Sequence, residues 1–451
     1  MRFKHFIKTP KLILVLGLIP VIGFSQSYFN RLIGTEIHTG SARALAMGNT
    51  NSVSDRSSAV LLTNPAGLAI VRSGLALDLH SAISSTMERR SLDLMDTFGD
   101  FLTEGDYVLN RNRNFSFNGG LTYGLALNKF RTGLGISIGQ LTSFNYEYQE
   151  EIRGRASLED GDIGNRDPLL GYHVFSTEGG FNHVTVGGGL QFGIVKNYIL
   201  GAGFSYHTVT GSEFSEDYFV DTVLVDPVYM SNVLSRHLKT EPNSGGFYSF
   251  GLNFSTGTGL TVALSLDSEL EIDTDDYQAP SFNTASGLPI YASYIDSTTQ
   301  VSYLPSGLKY IKPFTQRLGL EYRTVGEVPM VIAFEWQQTA EYDSDLADTT
   351  LNMPGAEYWK FGFEYLALKT IPVRAGLEFR KPRFKGVSPA SIFTFGTGKQ
   401  FGNLSVDLAG AYYIITYDYP DVFPVSGDVR PDLDRVSESN LSVALSIKYT
   451  L

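Results

Sequence analysis

The sequence contains no cysteine and only two tryptophans among its 451 residues. Without cysteine there can be no disulfide framework and no thiolate metal site, so hydrogen bonds and burial must supply the stability. Basic residues are outnumbered as well, because 35 Lys and Arg stand against 47 Asp and Glu. The resulting net charge of −12 excludes an exposed basic surface for nucleic acid.

The first 25 residues have the composition of an export signal peptide. They contain four basic residues and no acidic residue, and an apolar run extends from Leu12 to Phe24. Its 13 residues are too few for a permanent span of about 20. We therefore expect residues 1–25 to be removed on export, which would lower the net charge from −12 by four units to −16. No run of about 18 apolar residues follows, so any membrane crossing must use strands.

Alternating apolar and polar residues run through the rest of the chain, which is the pattern of strands with one apolar face. In NLSVALSIKYTL, the large apolar side chains from Leu441 to Leu451 all have odd numbers, and the even positions carry small or polar residues. Fourteen such strands are predicted, near 75–84, 114–127, 130–144, 182–195, 198–209, 246–255, 260–268, 314–324, 329–338, 357–367, 372–381, 390–398, 404–416 and 440–451.

The connections between the strands differ in length at the two ends. Asn128-Lys129 and Lys196-Asn197 predict hairpin turns. The alternate connections are long and mostly acidic, and include 145–181, 210–245, 269–313, 339–356 and 417–439. This asymmetry is typical of transmembrane barrels, whereas a soluble sandwich has no reason for it. The sequence therefore predicts an all-β fold, a 14-stranded antiparallel β-barrel in a bacterial outer membrane.

Residues 40–69, GSARALAMGNTNSVSDRSSAVLLTNPAGLA, resemble the N-terminal hatch of the FadL/TodX family. Its members are outer-membrane transporters of long-chain fatty acids and other hydrophobic compounds, and the wider family includes the barrel subunit of the type IX secretion system. The resemblance implies a hatch over residues 26–73, placed in the lumen of a barrel formed by 74–451. The matching pieces are Ser41 to Ala44, Met47-Gly48, Ser58-Ala59 and the hatch motif Asn64, Pro65, Ala66, Gly67 with Leu68.

The residues of this stretch also favour a plug by their own chemistry. Ser57 or Asp55 can cap a short helix over Ala59–Leu62, and that helix is apolar all round, as expected inside a protein. Pro65 ends the helix, and Gly67 permits a tight turn toward the first strand. The alternative is an N-terminal arm that packs against the barrel rim.

The polar faces of the strands predict two different lumen walls. The small wall, on strands two to six, contains Ser116, Asn118, Gly120, Thr122, Gly124, Gly133, Gly135, Ser137, Gly139, Thr185, Gly187, Gly189, Gln191, Gly201, Gly203, Ser205, Ser249, Gly251 and Asn253. The charged wall, on strands eight to eleven, contains Arg317, Glu321, Arg323, Glu335, Lys360, Glu364, Arg374, Glu378 and Arg380.

Each wall has two interpretations. The charged wall is either a lattice of salt bridges or a site where Arg317, Arg374 or Arg380 receives a carboxylate. The glycines of the small wall either make room for the hatch and let the sheet curl, or open a lateral exit at Gly133, Gly135 and Gly139.

Metal and catalytic sites are not expected. His183 and His207 point inward on adjacent strands but are predicted to lie about three residues out of register. The loop with Asp160, Asp162 and Asp167 lacks the glycine and glutamate positions of an EF-hand. No Ser, His and acid form a catalytic motif, so we predict no enzyme, no metal and no cofactor.

Two functions from different classes remain. The first is uptake of a long-chain fatty acid or another hydrophobic small molecule through a plugged barrel surrounded by outer-membrane lipid. The alternative is a scaffold or docking subunit of an outer-membrane complex for secretion or assembly, with protein partners at the acidic extracellular loops.

Overall fold

The computed structural model describes residues 34–71, 73–127, 130–153, 169–195, 197–212, 214–222, 236–240, 242–273, 281–283, 288–290, 309–324, 329–346, 349–367, 370–383, 386–419 and 433–451. The predicted signal peptide, the acidic loop with Asp160, Asp162 and Asp167, and the turn Asn128-Lys129 lie outside these residues. Among the described residues, no helix is long and apolar enough to cross a membrane.

Fourteen antiparallel strands form a closed barrel, as predicted. They are β1 (Gly74–Met95), β2 (Phe101–Ala126), β3 (Phe130–Ser143), β4 (Gly180–Val195), β5 (Tyr198–Gly211), β6 (Gly245–Thr256), β7 (Leu260–Asp267), β8 (Thr315–Arg323), β9 (Met330–Thr339), β10 (Glu357–Ala367), β11 (Ile371–Lys381), β12 (Ala390–Phe401), β13 (Leu404–Tyr419) and β14 (Asp434–Thr450). Each strand pairs with the next along the chain, and β14 closes the barrel on β1.

The apolar residues of each strand lie on the outer face. On β3, Leu134 and Ile138 are 61% and 51% exposed, whereas Ser137 between them is completely buried. Outward apolar side chains repeat in this way around the barrel and form the belt that faces lipid in bacterial outer-membrane proteins. The barrel therefore spans an outer membrane with its polar residues inside.

The first two strands are much longer than the predicted 75–84 and 114–127, because β1 and β2 pair from Gly74 and Gly124 as far as Met95 and Phe101. The apolar alternation on β1 ends near Ile83, since the next outward residues are Ser85, Met87 and Arg89. A strand that leaves the membrane no longer needs an apolar outer face, so the pattern stops before the strand does.

The long connections contain strands of their own. Tyr146–Arg153, Leu169–Glu178, Phe214–Thr222 and Arg236–Thr240 form a four-stranded sheet. Shorter antiparallel pairs join Leu270–Asp273 to Lys309–Lys312, Ser281–Asn283 to Leu288–Ile290, and Tyr342–Leu346 to Thr349–Met353. These elements stand at the barrel end opposite the short turns.

Before the barrel, residues 40–71 form a chain of short helices that we call the N-terminal segment. It contains α1 (Ala42–Ala46), α2 (Asn51–Ser54), α3 (Val60–Thr63) and the 3₁₀ helix Pro65–Ile70. Ser41 caps α1 by accepting a hydrogen bond from the Ala44 amide. The chain turns after α1 through positive φ angles of 67° at Gly48 and 59° at Asn49.

Candidate functional site

The N-terminal segment lies against inward-facing glycines on nine of the strands, which we call the glycine ring. A Cβ atom at Gly203 would lie 2.2 Å from the carbonyl carbon of Pro65, and one at Gly376 would lie 2.1 Å from the Gly48 nitrogen. Only residues without a side chain allow backbone to approach backbone so closely. The ring comprises Gly120, Gly133, Gly135, Gly187, Gly189, Gly203, Gly251, Gly319, Gly362, Gly376 and Gly396.

Inward carboxylates hold the same segment by hydrogen bonds and ion pairs. The contacts are Asp78 Oδ2 to the Ser58 amide (2.9 Å), Glu321 Oε1 to Arg56 Nη2 (2.9 Å), Glu335 Oε2 to the Ser52 amide (2.7 Å), Glu364 Oε2 to Arg43 Nε (3.0 Å) and Glu378 Oε2 to Asn49 Nδ2 (2.5 Å). Four of these five carboxylates belong to the charged wall. Much of that wall is therefore committed to the segment, which neither interpretation of the sequence had included.

The predicted hatch motif lies where the segment meets the small wall. The Asn64 side-chain amide donates to Asn253 Oδ1 (2.8 Å) and to the Ser52 carbonyl (3.1 Å), while its Oδ1 accepts from the Ala66 amide (3.2 Å). Pro65 begins the 3₁₀ helix, and its backbone lies against Gly189 and Gly203. A Cβ at Gly67 would lie 3.1 Å from Val60, so this glycine packs the 3₁₀ helix on α3.

The three candidate arginines form ion pairs. Arg374 Nε contacts Glu364 (2.6 Å) and its Nη1 contacts Asp407 (2.7 Å). Arg317 Nη1 lies 2.9 Å from Asp267, and Arg380 Nη2 lies 2.9 Å from Glu378. All three contribute to a lattice of charges along the wall, and carboxylate binding by them stays a prediction.

A cavity of about 380 Å³ occupies the lumen above the segment. Leu45, Asn49 and Leu62 belong to its floor, and Val387, Ile392, Ala411 and Ile415 give it an apolar side. The cations that line it are Lys312, Arg317, Lys360, Arg380 and Arg383, against the acids Asp267 and Glu378. The volume falls in the range of small-molecule sites, about 300–1,000 Å³.

Arg383 is a lining residue that the sequence analysis missed. Its side chain is buried, and its guanidinium carbon lies 5.5 Å from the centre of the Tyr342 ring. Its Nη1, however, has no hydrogen-bond partner within the described part of the chain. Burial raises the pKa of the neighbouring Tyr342 hydroxyl, so this phenol is neutral at pH 7. A buried guanidinium with a free donor favours an anionic ligand, because leaving that donor unpaired is costly.

The barrel wall opens between β2 and β3 at the edge of this cavity. The two strands pair only as far as Asn118 and Gly139. Beyond that point β3 stays paired with β4 through a bulge at Gln140–Thr142, but its other edge pairs with Thr35–Glu36 in place of β2. We call this place the wall split. Thr35 and Glu36 close it by pairing with β3. The neighbouring residues Gly34, Ile37, His38 and Thr39 line the cavity together with Thr35.

The predicted lateral exit lies partly at the wall split. Gly139 forms the last pair before the split, whereas Gly133 and Gly135 belong to the glycine ring and lie against Leu68. Outward-facing Phe117 and Ile138 flank the split and are 44% and 51% exposed, so the split lies within the apolar belt. An exit through the wall stays a prediction.

The inward histidines lie closer than predicted, because a bulge near Gly193 shifts the register of β4 and β5. His183 Nδ1 and His207 Nδ1 both contact the Thr185 hydroxyl, at 3.0 and 2.8 Å. Ser249 continues the chain of hydrogen bonds to Asp267 at 2.7 Å. No group of three or more His, Cys, Asp or Glu within the described ranges could hold a metal ion.

These features define a membrane-spanning barrel with a buried N-terminal segment and a lumen cavity. The crystal structure of a Pseudomonas aeruginosa FadL homologue matches 92% of this chain and 99% of its own, with a TM-score of 0.57 and 12% identity. The Pseudomonas putida toluene transporter TodX matches 93% of this chain and 99% of its own, with a TM-score of 0.50 and 12% identity. No family model and no curated protein matches the sequence. The chain therefore has the FadL-type barrel fold.

Proposed function

We propose that this protein takes up hydrophobic small molecules that carry a carboxylate, such as long-chain fatty acids. The observation that carries the proposal is the cavity, which joins an apolar side to the buried, incompletely paired guanidinium of Arg383. An apolar tail gains about 25 cal/mol per Å² on leaving water. The carboxylate then supplies the partner that Arg383 lacks. The FadL homologue and the toluene transporter share this fold, which supports transport as the class of function.

The N-terminal segment acts in this proposal as a hatch that closes the short-turn end of the lumen. It contacts the barrel around the glycine ring and carries buried side chains such as Leu61 and Leu68. A ligand in the cavity then has two ways out: movement of the segment, or sideways passage at the wall split. The second route delivers an apolar molecule straight to lipid, so we propose it as the exit.

The first experiment measures binding of a fluorescent fatty acid to the purified protein. Arg383→Gln should weaken binding about tenfold or more, since a charged hydrogen bond contributes about 1.5–3 kcal/mol. The alcohol of the same chain length lacks the carboxylate and should bind wild type and variant alike. An equal loss for acid and alcohol would show that Arg383 only shapes the cavity.

Two engineered disulfides separate the exit routes, and the absence of native cysteine gives a clean background. The first lock, Leu68→Cys with Gly189→Cys, ties the segment to the wall, because the Leu68 Cβ lies 3.4 Å from a Cβ built at Gly189. That Cβ also lies 2.8 Å from the Pro65 carbonyl oxygen, so the reduced form of the same variant is the control for the strain that it adds. The second lock, Thr35→Cys with Ser143→Cys, joins directly paired residues and keeps the wall split closed.

Uptake of labelled fatty acid is measured in cells that lack other transporters, with and without reductant. Sideways exit predicts that the second lock blocks uptake, that reductant restores it, and that the first lock has little effect. The opposite pattern would assign the exit to movement of the segment. If wild-type cells take up no fatty acid, the proposed function itself fails.

A further inference from the structure

The β1–β2 hairpin rises far beyond the membrane. Its strands remain paired to Met95 and Phe101, whereas the apolar belt on β1 ends near Ile83. At about 3.3 Å per residue, the chain from Ile83 to Phe98 spans about 50 Å of strand. Residues 92–104, which we call the hairpin tip, therefore stand outside the membrane on the side of the long connections.

The hairpin tip exposes large apolar side chains where no lipid can cover them. Phe98 is 89% exposed and Leu102 is 63% exposed. Leu94, Met95 and Phe101 are each more than 40% exposed. Single exposed apolar residues are ordinary, but a cluster on a protruding element marks an interaction surface.

Hydrogen bonds within the tip order its backbone before any partner binds. Asp96 Oδ1 accepts hydrogen bonds from the amides of Phe98 (2.8 Å) and Asp100 (2.9 Å). The Asp96 amide in turn donates to the Asp100 carbonyl at 2.9 Å, and Gly99 takes the required φ of 85°. Phe98 is thus presented on an ordered turn, which reduces the entropy lost on binding.

The charge of the tip indicates what it binds. Residues 91–106 contain five acidic residues and no basic residue. Arg435 contacts Glu104 at 3.3 Å and Arg89 contacts Asp106 at 3.4 Å, which leaves Asp93, Asp96 and Asp100 around the apolar side chains. A second copy of the tip or an anionic lipid would meet like charge, whereas a basic protein surface would be attracted.

We propose that the hairpin tip is a docking surface for a protein that has an apolar pocket rimmed by Lys and Arg. Phe98 enters the pocket, and Asp93 and Asp100 face the basic rim. This inference is independent of the lumen cavity and of uptake, since the tip lies outside the membrane and contains none of the cavity-lining residues.

A photoreactive amino acid at position 98 tests the proposal in the native outer membrane, with the same amino acid at Phe401 as control. Phe401 is 56% exposed but lies next to a short turn at the opposite end of the barrel. We expect one protein to crosslink at position 98 and not at 401, and mass spectrometry identifies it.

The identified protein is then purified, and its affinity for the full chain is measured. Phe98→Ser and Asp93→Lys should each weaken binding at least tenfold, added salt should weaken it further, and Phe401→Ser should change nothing. Heat-modifiable gel mobility confirms that the variants fold. Crosslinks only to lipopolysaccharide, to a second copy or within the chain, no crosslink, or affinity unchanged by Phe98→Ser would overturn the proposal.

Discussion

The small wall and the charged wall hold the same N-terminal segment by different chemistry. The small wall fits it sterically, with Gly189 and Gly203 against the backbone of Pro65. The charged wall holds it through carboxylates, as where Glu335 accepts from the Ser52 amide and hydroxyl. The small wall excludes alternative positions by shape. The charged wall has ring glycines as well, such as Gly376, and adds the cost of leaving a buried charge unpaired.

The difference teaches why both walls are needed. A steric fit is insensitive to salt and pH, but it supplies no strong attraction between the two surfaces. Carboxylates form directional hydrogen bonds with specific groups of the segment, but a buried charge is favourable only when it is fully paired. The glycines therefore give a close seal, and the carboxylates fix which residue of the segment faces which strand.

Removing a carboxylate from the charged wall should have the largest effect. Glu335→Ala removes the carboxylate that lies 2.7 Å from Lys360 Nζ and the acceptor of the Ser52 hydroxyl. Because the buried Lys360 loses this ion pair, we expect the free energy of unfolding to fall by about 3–5 kcal/mol. Chemical denaturation in bilayers measures this loss, with exposed Glu341→Ala as control. A loss below about 1 kcal/mol would mean that the charged wall does not hold the segment.

A matched pair of glycines tests the small wall. Gly203→Ala places a Cβ 2.2 Å from Pro65 and should cost about 1–3 kcal/mol through overpacking. Gly201→Ala, on the same inner face, meets its nearest atom at 3.6 Å and should be tolerated. Trypsin cleavage after Arg43 and Arg56 measures release of the segment. Equal cleavage of the two variants would show that the glycine ring does not hold the segment sterically.

Substitution of Asp55, within the segment, should have the smallest effect on stability and the clearest dependence on pH. Burial alone would raise the pKa of Asp55, but the charge of His80 and hydrogen bonds from Ser57 and Ser41 lower it below the ordinary 3.8. Its contribution is complete above that value and is lost as the pH falls through the lower folded pKa.

Asp55→Asn should therefore cost about 1 kcal/mol at pH 7, and this cost should shrink only as the pH falls below the ordinary value of 3.8 and through the lower folded pKa. Hydrogen exchange of residues 40–71, corrected for intrinsic rates, measures this difference in protection. The loss of protection should decrease steadily as the pH falls from 4 toward 2, and a loss as large at pH 2 as at pH 7 would show that the Asp55 charge does not contribute.

The alternation of side chains is enough to predict fourteen strands and the direction in which each faces. It could not predict the outer half of β1 and β2, because a strand beyond the membrane has no apolar stripe. The partners of the inward carboxylates could not be predicted either, because residues such as Ser52 and Glu335 lie 283 positions apart in the chain. Arg383 could not be predicted as a lumen residue, because it lies beyond the end of the predicted strand 372–381. Outside a strand, the alternation no longer shows whether a side chain points inward.

The most direct test of the hatch is electrical. Planar bilayers measure the conductance of the intact protein and of a variant that lacks residues 40–71, after heat-modifiable mobility has confirmed that both insert. Our account predicts that the intact barrel conducts little and that the variant conducts strongly, because the glycine ring would then border an empty lumen. Equal conductance in the two proteins would contradict it and place the seal elsewhere.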